Sequence, residues 1–422
     1  MSRLDSARRM AAAALAAVDP ERLVRAALAE RPERWAGALA LGKAAPAMAR
    51  GAGGGPGLET VGGARRLLVR THAAAGLLDA AWEELAGGHP LPDRQSLAAG
   101  ERVLRWLGEL PPGAPLLVLV SGGSSACVEA PAGGLTLAEL VATQRALLGS
   151  GLPIHAFNAV RKHLSSFKGG GALRASRGPV LALLLSDVPG DDPGTIGSGP
   201  FAADPTTFAD ALAAVASLQV PDRVRQRLAA GARGELPETV KPGDPELARA
   251  QSLLVGSVAT AVAAAADEAR RSGFTVATGE LAGEAAAAGR ALVARGRALD
   301  GGRMALVLGG ETTVTLGASA GRGGRNQELA LAAARALAGG NGELVLTLAT
   351  DGEDGPTSAA GGVVDNATWS ALERSGIDPA AALLGHDSHR ALAALPGALL
   401  ATGSTGTNVG DLVVYLRWDP ST

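Results

Sequence analysis

Eight short, uninterrupted apolar runs recur along this chain, and they constrain its fold more than any other feature. The runs lie at residues 38–41, 66–69, 116–120, 180–185, 252–255, 304–308, 343–349 and 398–402. They have the length of strands, and stretches rich in Ala, Leu and Arg with helical periodicity separate them. Apolar runs without polar alternation are typical of strands in parallel sheets that helices cover on both faces. The sequence therefore predicts an α/β fold built on parallel sheets.

The chain has 422 residues, which suggests two domains. The segment GELPETVKPGDPELAR (234–249) is rich in Pro, Gly and charged residues and is the best candidate for a linker. We therefore predict domains at residues 1–245 and 246–422.

An amphipathic helix is expected to open the chain, because MAAAALAAV (10–18) is too short and alanine-rich for a signal peptide. A capping box of Thr136 and Glu139 predicts a further helix that stops near Gly151.

The composition and charge argue against several classes of protein. A net charge of −2 does not favour a nucleic-acid binder or a membrane-surface binder, whose patches are strongly basic. No uncharged apolar stretch of about 18 residues occurs, so we expect no membrane span. Cys127 is the only cysteine, which excludes a disulfide framework and favours a reducing cytoplasm. We expect Cys127 to be a small buried apolar residue.

Six of the apolar runs lead directly into polar or glycine-rich segments. These segments are GKAAP (42–46), SGGSSA (121–126), SDVPGDDPGTIGSGP (186–200), GGETTVTL (309–316), TDGEDGPTSAAGG (350–362) and TGSTGTN (402–408). In open α/β sheets, ligands bind outside the carboxyl ends of the strands. The six exits together predict a ligand crevice between two domains, although any one of them is explained by turn formation alone.

The SGGSSA segment is typical of a small anion site. Gly122 and Gly123 carry no side chain, so their backbone N–H groups can approach an oxyanion. Ser121, Ser124 and Ser125 add hydroxyl donors, and the turn that follows directs its N-terminal dipole at the same place. We expect this segment to bind a phosphate or a carboxylate.

Carboxylates and arginines are two further sets of candidate ligand-binding residues. The carboxylates that follow strands are Asp187, Asp191, Asp192, Glu311, Asp351, Glu353 and Asp354. Mg²⁺ bound to substrate phosphates would need one or two of them, and at least half are expected to serve as helix caps and turn acceptors. Arg322 and Arg325 precede an amphipathic helix that begins near Asn326. The N-terminus of a helix carries a partial positive charge, which repels a cation. Arg322 and Arg325 therefore either bind an anionic ligand or are solvated charges of the loop.

Lysine is rare in this chain. Lys43, Lys162, Lys168 and Lys241 are the only four, against 35 arginines, and all lie near Gly or Pro. A compact ammonium group cannot be replaced by a guanidinium, which makes these positions notable.

The segment GALALGK (37–43) has the spacing of a P-loop, but its intervening residues are apolar and Ala44 replaces the Ser or Thr that holds Mg²⁺. We therefore keep Lys43 as a strand-exit lysine only.

Taken in order, the motifs resemble the class II glycerate kinases, whose C-terminal part is known as MOFRL. The matching segments are GKAAPAMA, LLVLVSGGSSA, FNAVRKHLSSFKGGGAL, LLLSDVPGDDPGTIGSGP, GGETTVTL, GRGGRNQELAL, TDGEDGPTSAAGGVVD and TGSTGTNVGDL. The resemblance implies an ATP-dependent kinase that phosphorylates the 2-hydroxyl of D-glycerate, using a divalent cation such as Mg²⁺. It also implies a Rossmann-like N-terminal domain with a parallel sheet, a MOFRL-type α/β C-terminal domain, and an active site between them.

The resemblance maps the family's key basic residues onto Lys43 and Arg325. We expect these two cations to bind phosphoryl oxygens or the glycerate carboxylate. Asp187 or Asp192 is expected to hold Mg²⁺ or to accept the hydroxyl proton. The remaining expected substrate and phosphate ligands are Ser121, Gly122, Gly123, Ser124, Ser125, Arg161, Lys162, Lys168, Glu311, Asn326, Asp351 and Thr405.

Two alternatives to a kinase stay open at this point. One is an NAD(P)-linked hydroxypyruvate reductase, a label that some members of this family carry. A dehydrogenase would show a glycine fingerprint with an acidic residue about 20 positions on, and none is convincing here. The other is a non-catalytic binder of small anionic metabolites. In each case the expected partners are small molecules, and the chain is expected to be a monomer or a homodimer.

Overall fold

A computed structural model describes residues 2–31, 33–53, 65–76, 79–317 and 320–418. The chain divides into two compact units. The N-terminal unit is Pro20–Val255, and the C-terminal unit combines Met1–Asp19 with Gly256–Thr422.

Helices and strands alternate along most of the chain. The helices are α1 Arg3–Ala17, α2 Pro20–Ala29, α3 Ala45–Gly53, α4 Arg94–Glu109, α5 Ser124–Cys127, α6 Leu137–Leu148, α7 Ile154–His163, α8 Gly171–Ala175, α9 Phe208–Ala214, α10 Asp222–Ala232, α11 Val258–Arg271, α12 Ala285–Arg297, α13 Arg325–Leu337, α14 Thr368–Arg374, α15 Pro379–Leu384 and α16 Ser388–Ala393. The strands are β1 Gly37–Leu41, β2 Arg65–Thr71, β3 Glu83–Gly87, β4 Leu116–Val120, β5 Val180–Leu185, β6 Ala250–Gly256, β7 Thr275–Leu281, β8 Arg303–Gly310, β9 Glu343–Ala349, β10 Gly361–Asp365, β11 Leu399–Leu400 and β12 Asp411–Trp418.

The sheet of the N-terminal unit has the order β3-β2-β1-β4-β5-β6, which is the strand order of the Rossmann fold. Strands β1 to β5 pair in parallel, as the sequence predicted. β1 and β4 are buried at every position and lie side by side in the centre. Chain connections leave this pair in opposite directions across the sheet, so a crevice opens at their carboxyl ends. The segments that follow β1 and β4 therefore lie next to each other.

The sheet of the C-terminal unit is mixed, with the order β11-β10-β9-β12-β8-β7. Only β7 and β8 pair in parallel, and β12 lies antiparallel between β8 and β9. The prediction of parallel sheets is therefore wrong for this unit. Helices α1, α11, α12 and α13 pack on this sheet and bury its central strands on both faces. A strand buried in this way has no polar alternation, whichever direction its neighbours run.

Most of the predicted elements exist. Seven of the eight apolar runs lie in strands, and only two residues of the run at 398–402 pair in a sheet. Strands β3, β7, β10 and β12 lie outside the eight apolar runs and were not predicted. The capping box of α6 is present, because the amide of Glu139 donates to Thr136 Oγ1 at 3.3 Å and the amide of Thr136 donates back to Glu139 Oε2 at 2.7 Å. That helix ends at Leu148, before the expected Gly151.

The two units divide the chain differently from the predicted domains. The opening helix is present as α1, but it belongs to the C-terminal unit, where Arg9 pairs with Glu268 of α11 at 3.2 Å. The supposed linker 234–249 is packed into the N-terminal unit. Val240 is fully buried there, and Thr239 Oγ1 donates to Asp204 Oδ2 at 2.8 Å. The chain passes from one unit to the other at residues 19–20 and again at residues 255–256.

Cys127 is buried, as expected from its surroundings in the sequence. Burial raises the pKa of its thiol to about 12, so it stays protonated and unreactive at neutral pH. Among the residues that the structure describes, no helix is long and apolar enough to cross a membrane.

Candidate active site

The segments after β1 and β4 are joined by hydrogen bonds. We call residues 121–125 the SGGSS loop. Ser121 Oγ accepts from the amide of Ala44 at 3.0 Å and donates to the carbonyl of Leu41 at 3.1 Å. The amide of Lys43 donates to the carbonyl of Gly122 at 2.8 Å. Lys43 therefore lies beside the SGGSS loop, although nearly 80 residues separate the two in the sequence.

The SGGSS loop presents backbone donors at this point. Within the described residues, the amides of Gly122, Gly123 and Ser125 donate to no protein acceptor. Gly123 has φ +82°, a conformation that brings successive amides to one side of the chain. These three N–H groups lie next to the backbone of Lys43 and form a recess of hydrogen-bond donors, which suits a phosphate or a carboxylate.

The three serines of the loop, all expected to be ligand donors, differ in burial and in hydrogen bonding. The Ser121 hydroxyl is buried and joins the two strand exits, and its hydrogen bonds are made within the protein. Ser124 is also buried, and its hydroxyl lies against Gly197 and has no hydrogen-bond partner within the described residues. Ser125 is half-buried, and its carbonyl accepts from Arg161 Nη2 at 2.8 Å. Ser125 is thus the serine best placed for a ligand.

Gly123 provides a test of this recess. A Cβ at Gly123 would lie 3.1 Å from Lys43 Cγ, 3.2 Å from Thr71 Cγ2 and 3.3 Å from His89 Cδ2. We expect Gly123→Ala to lower kcat/KM about 10- to 100-fold, because small displacements at a reacting centre are costly. It should also cost about 1–2 kcal/mol of unfolding free energy, since an alanine is strained at this φ. Steady-state kinetics and urea unfolding measure the two effects.

Gly113→Ala is the matched control. Gly113 has a similar φ of +77°, but in the described part of the chain nothing lies within 4 Å of its Cβ position. This variant should show the same loss of stability and normal kinetics. If both variants lose activity equally, the contacts around Gly123 do not matter.

Lys162 and Lys168 were expected to bind phosphate, and the structure places both in buried ion pairs instead. Lys162 Nζ lies 3.1 Å from Asp204 Oδ1, and Lys168 Nζ bonds to Glu129 Oε2. Burial lowers the pKa of Lys168 to about 8, against the opposing effect of Glu129. Because protein carboxylates already neutralise these ammonium groups, neither is a simple phosphate ligand.

Asp187 and Asp192, the candidates for Mg²⁺ or for the base, also differ. Asp192 closes a turn, since its oxygens accept from the amide of Gly194 at 3.2 Å and from Thr195 Oγ1 at 2.8 Å. Asp187 follows β5 by two residues and is half-buried. No group of three or more metal-ligating side chains occurs in the described ranges. Mg²⁺ carried by substrate phosphates needs only one or two carboxylates, so the role of Asp187 or Asp192 toward Mg²⁺ stays a prediction.

In the C-terminal unit, Arg325 is held by two carboxylates. β12 begins with Asp411, which pairs with Gly310 at the end of β8 and with Ala349 at the end of β9. Asp411 is fully buried and accepts from Arg325 Nε at 2.6 Å and Nη2 at 3.0 Å. Glu311 Oε1 lies 2.6 Å from Arg325 Nη1. The bidentate pair with Asp411 fixes the plane of the guanidinium.

The two partners of Arg325 differ in exposure. Burial raises the pKa of the Asp411 carboxyl, and Arg325 opposes that effect. Burial lowers the pKa of Arg325, but its pairs with Asp411 and Glu311 outweigh this and hold it above its usual range. The Glu311 side chain is 44% exposed, whereas that of Asp411 is inaccessible. Glu311 is therefore the partner of Arg325 that faces solvent, and Asp411 is the partner shielded from it.

The N-terminus of α13 is capped by the protein itself. Asp354 accepts from the amide of Asn326 at 3.0 Å and from the amide of Gln327 at 2.8 Å, and burial raises the pKa of this carboxyl. Residues 326–334 are all buried, so α13 is a core helix and not the amphipathic one expected. Asn326 is buried for the same reason, and its assignment as a ligand residue stays a prediction.

Asp351 and Thr405 connect two loops near the end of β9. Thr405 Oγ1 donates to the carbonyl of Thr350 at 2.5 Å, and the Thr405 amide donates to the carbonyl of Asp351 at 3.3 Å. Asp351 Oδ1 accepts from the amide of Glu353 at 3.2 Å. Thr405 thus holds the loop after β9 in place, and its hydroxyl is already used.

The sequence analysis missed several supports of this region. His389 Nδ1 lies 2.8 Å from Gln327 Oε1, and His386 Nδ1 lies 2.9 Å from Glu328 Oε2, so the HDSH segment (386–389) holds the first turn of α13. Asp411 was missed as well. Its position directly before the apolar run LVVYL (412–416) was the one signal that could have identified it.

Comparison with known proteins identifies the family. The model of a domain of unknown function, DUF4147, matches residues 6–231, and that of the MOFRL family matches residues 304–411. D-glycerate 2-kinase of Thermotoga maritima is 38% identical, over 95% of this chain and 95% of that protein. A crystal structure of glycerate kinase from Thermotoga maritima has a TM-score of 0.83 at 37% identity, covering 98% of this chain and 99% of that one. The chain belongs to the MOFRL family of glycerate kinases.

Two further relatives of the chain are named differently from each other. Glycerate 2-kinase of Pyrococcus horikoshii is 39% identical, over 79% of this chain and 77% of that protein. A protein of Agrobacterium vitis, also 39% identical over 97% of this chain and 93% of its own length, is named putative hydroxypyruvate reductase. The names within the family therefore divide between a kinase and a reductase.

Proposed function

We propose that this protein phosphorylates the 2-hydroxyl of D-glycerate with ATP, giving 2-phosphoglycerate and ADP. One observation of the site carries the proposal: Lys43 lies beside three amides of the SGGSS loop that have no acceptor in the described part of the chain, at the carboxyl ends of the two central strands. Such a recess attracts phosphate and carboxylate groups, which both substrates contain. The relatives named glycerate 2-kinase support the same conclusion.

In this reaction the 2-hydroxyl oxygen attacks the γ-phosphorus, the bond to the β,γ-bridging oxygen breaks, and ADP leaves. Catalysis of such a transfer consists mainly of positioning and of neutralising negative charge. We assign Lys43 and the amides of the SGGSS loop to anionic oxygens of the substrates. We assign Arg325 to a second anionic group, which takes the place of Glu311 on the guanidinium.

The hydroxyl proton needs an acceptor, and Mg²⁺ needs a carboxylate. We propose Asp187 for one of these two roles, because it is half-buried and lies two residues after the end of β5, where the chain leaves the carboxyl edge of the sheet. When bound, Mg²⁺ would neutralise charge on the phosphates of ATP.

The reductase is the second candidate, since the strand order of the N-terminal unit and the name of the Agrobacterium vitis relative both favour it. Two features of the sequence argue against it. β1 leads into GKAAP (42–46), which lacks the glycine fingerprint of dinucleotide-binding proteins. β2 has the sequence RRLLVRT and supplies no carboxylate for a ribose hydroxyl. The kinase is the better-supported function.

Two parallel assays separate the candidates. The purified protein is incubated with D-glycerate, ATP and Mg²⁺, and separately with hydroxypyruvate and NADH. We expect ADP release in the first assay and no NADH consumption in the second, with a ³¹P NMR signal from the 2-phosphate ester. NADH consumption without ADP release would support the reductase, and no turnover in either assay would support a non-catalytic binder.

A further inference from the structure

A cavity of about 420 Å³ opens in the N-terminal unit, and none of its lining residues belongs to the SGGSS loop or to the Lys43 segment. The end of α7, the segment 165–171, helix α10 and residues 237–239 form its walls. Its volume lies in the range of small-molecule sites in proteins. The cavity is thus separate from the recess assigned to the kinase reaction.

The walls of the cavity are rich in cationic side chains. Those that line it are Lys162, Lys168, Arg174 and Arg227. Glu238 also lines it, but its carboxylate already accepts from His163 Nε2 at 2.9 Å and from the amide of Phe208 at 3.0 Å. Lys162 and Lys168 are compensated by Asp204 and Glu129, respectively. Any excess of positive charge must therefore come from the two arginines.

Arg227 is the cation without a counter-charge. Its Nε donates to the carbonyl of His163 at 3.1 Å, and its guanidinium lies 5.9 Å from the centre of the Phe208 ring. Within the described residues no carboxylate pairs with Arg227, and burial lowers the pKa of its guanidinium. Arg174, by contrast, lies 3.5 Å from Glu246. A half-buried guanidinium with no anionic partner is costly, and a bound oxyanion would relieve that cost.

The other walls are apolar. Leu104, Phe208 and Pro237 line the cavity with carbon surface. A ligand that fits would have an anionic group for Arg227 and a compact neutral body for these side chains. We propose that this cavity is a second anion site, which binds a small phosphorylated metabolite through its phosphate on Arg227.

Calorimetric titration of the full-length protein tests the proposal. The probes are inorganic phosphate and glycerol 3-phosphate, titrated into the wild type, into Arg227→Gln, and into both in a Lys43→Met background. The Lys43 variant removes anion binding at the kinase recess. We expect a binding component that survives Lys43→Met and is weakened at least about tenfold by Arg227→Gln, because a hydrogen bond to a charged group is lost. Tighter binding of glycerol 3-phosphate than of inorganic phosphate would assign the preferred ligand as an ester.

Arg223→Gln is the matched control on the same helix. Arg223 is exposed and lies 3.8 Å from Glu139, so its loss should leave the phosphate affinity unchanged. Equal phosphate affinity in the wild type and in Arg227→Gln overturns the proposal, as does a phosphate signal that disappears completely with Lys43→Met. Neither outcome affects the kinase assignment, which the activity assays decide.

A second variant keeps the test valid if Arg227→Gln fails to fold. Ser166 is exposed and lines the cavity. Ser166→Asp places a carboxylate there and leaves the contacts of Arg227 intact. It should weaken phosphate binding without lowering the unfolding free energy. Unchanged affinity in this variant contradicts an anion site.

Discussion

Arg325→Met is expected to lower kcat by about 1,000-fold, since an arginine that stabilises phosphoryl-transfer charge contributes at least that factor. The same substitution should also destabilise the fold. It leaves Asp411 fully buried without the two hydrogen bonds that Arg325 donates. Removing one partner of a buried ion pair costs about 3–5 kcal/mol. Coupled-enzyme kinetics and urea unfolding of the purified variant measure the two losses.

A second substitution separates the loss of activity from the loss of stability. In the double variant Arg325→Met, Asp411→Asn, no unpaired buried carboxylate remains, so most of the unfolding free energy should return while kcat stays low. Glu311→Gln serves as the control on the exposed side of Arg325, where a partly exposed pair is worth about 1 kcal/mol or less. Full recovery of kcat in the double variant would show that Arg325 has a structural role only.

Lys43→Met is expected to lower kcat by about 100- to 1,000-fold, the usual effect of removing one charge-stabilising donor from an active site. The fold should be unaffected, because the local structure depends on the backbone bond from Lys43 to Gly122 and on the Ser121 hydroxyl. Steady-state kinetics with ATP and glycerate measures the first effect. Thermal unfolding measures the second.

Lys241→Met is the matched control for that variant. Lys241 forms an ion pair with Glu238 at 3.1 Å, outside the residues assigned to the reaction. Its loss should leave kcat near the wild-type value. The assignment of Lys43 fails if Lys43→Met retains near-normal turnover, or if the two lysine variants lose activity to the same extent.

The recess around Lys43 could be predicted from the sequence because its determinants are local. A buried strand followed by Gly and Ser specifies a turn with free amides, and parallel strands bring such turns to one edge of a sheet. The role of Asp192 also follows from local chemistry, since an aspartate commonly accepts from the amide two residues on. The turn formed by Asp192 agrees with the expectation that at least half of the carboxylates that follow strands serve as helix caps and turn acceptors.

The ion pairs of Lys162 and Lys168 could not be predicted, for a different reason. Lys168 pairs with Glu129 and Lys162 with Asp204, about 40 residues away in each case. Nothing in the local pattern of either lysine indicates that a buried carboxylate neutralises it. The burial of Asn326 could not be predicted either, because it depends on the packing of helices α12 and α16 and strands β9 and β10 against α13.

The sequence by itself determined the α/β class, the positions of most strands and the turns that follow them, because these depend on burial and on residues close in the chain. Only the tertiary structure decided that β12 enters the second sheet antiparallel and brings Asp411 beneath Arg325. It also decided that α1 packs with residues more than 200 positions away. Pairings of this kind depend on which surfaces meet after the chain has folded, and that information lies in no single stretch of residues.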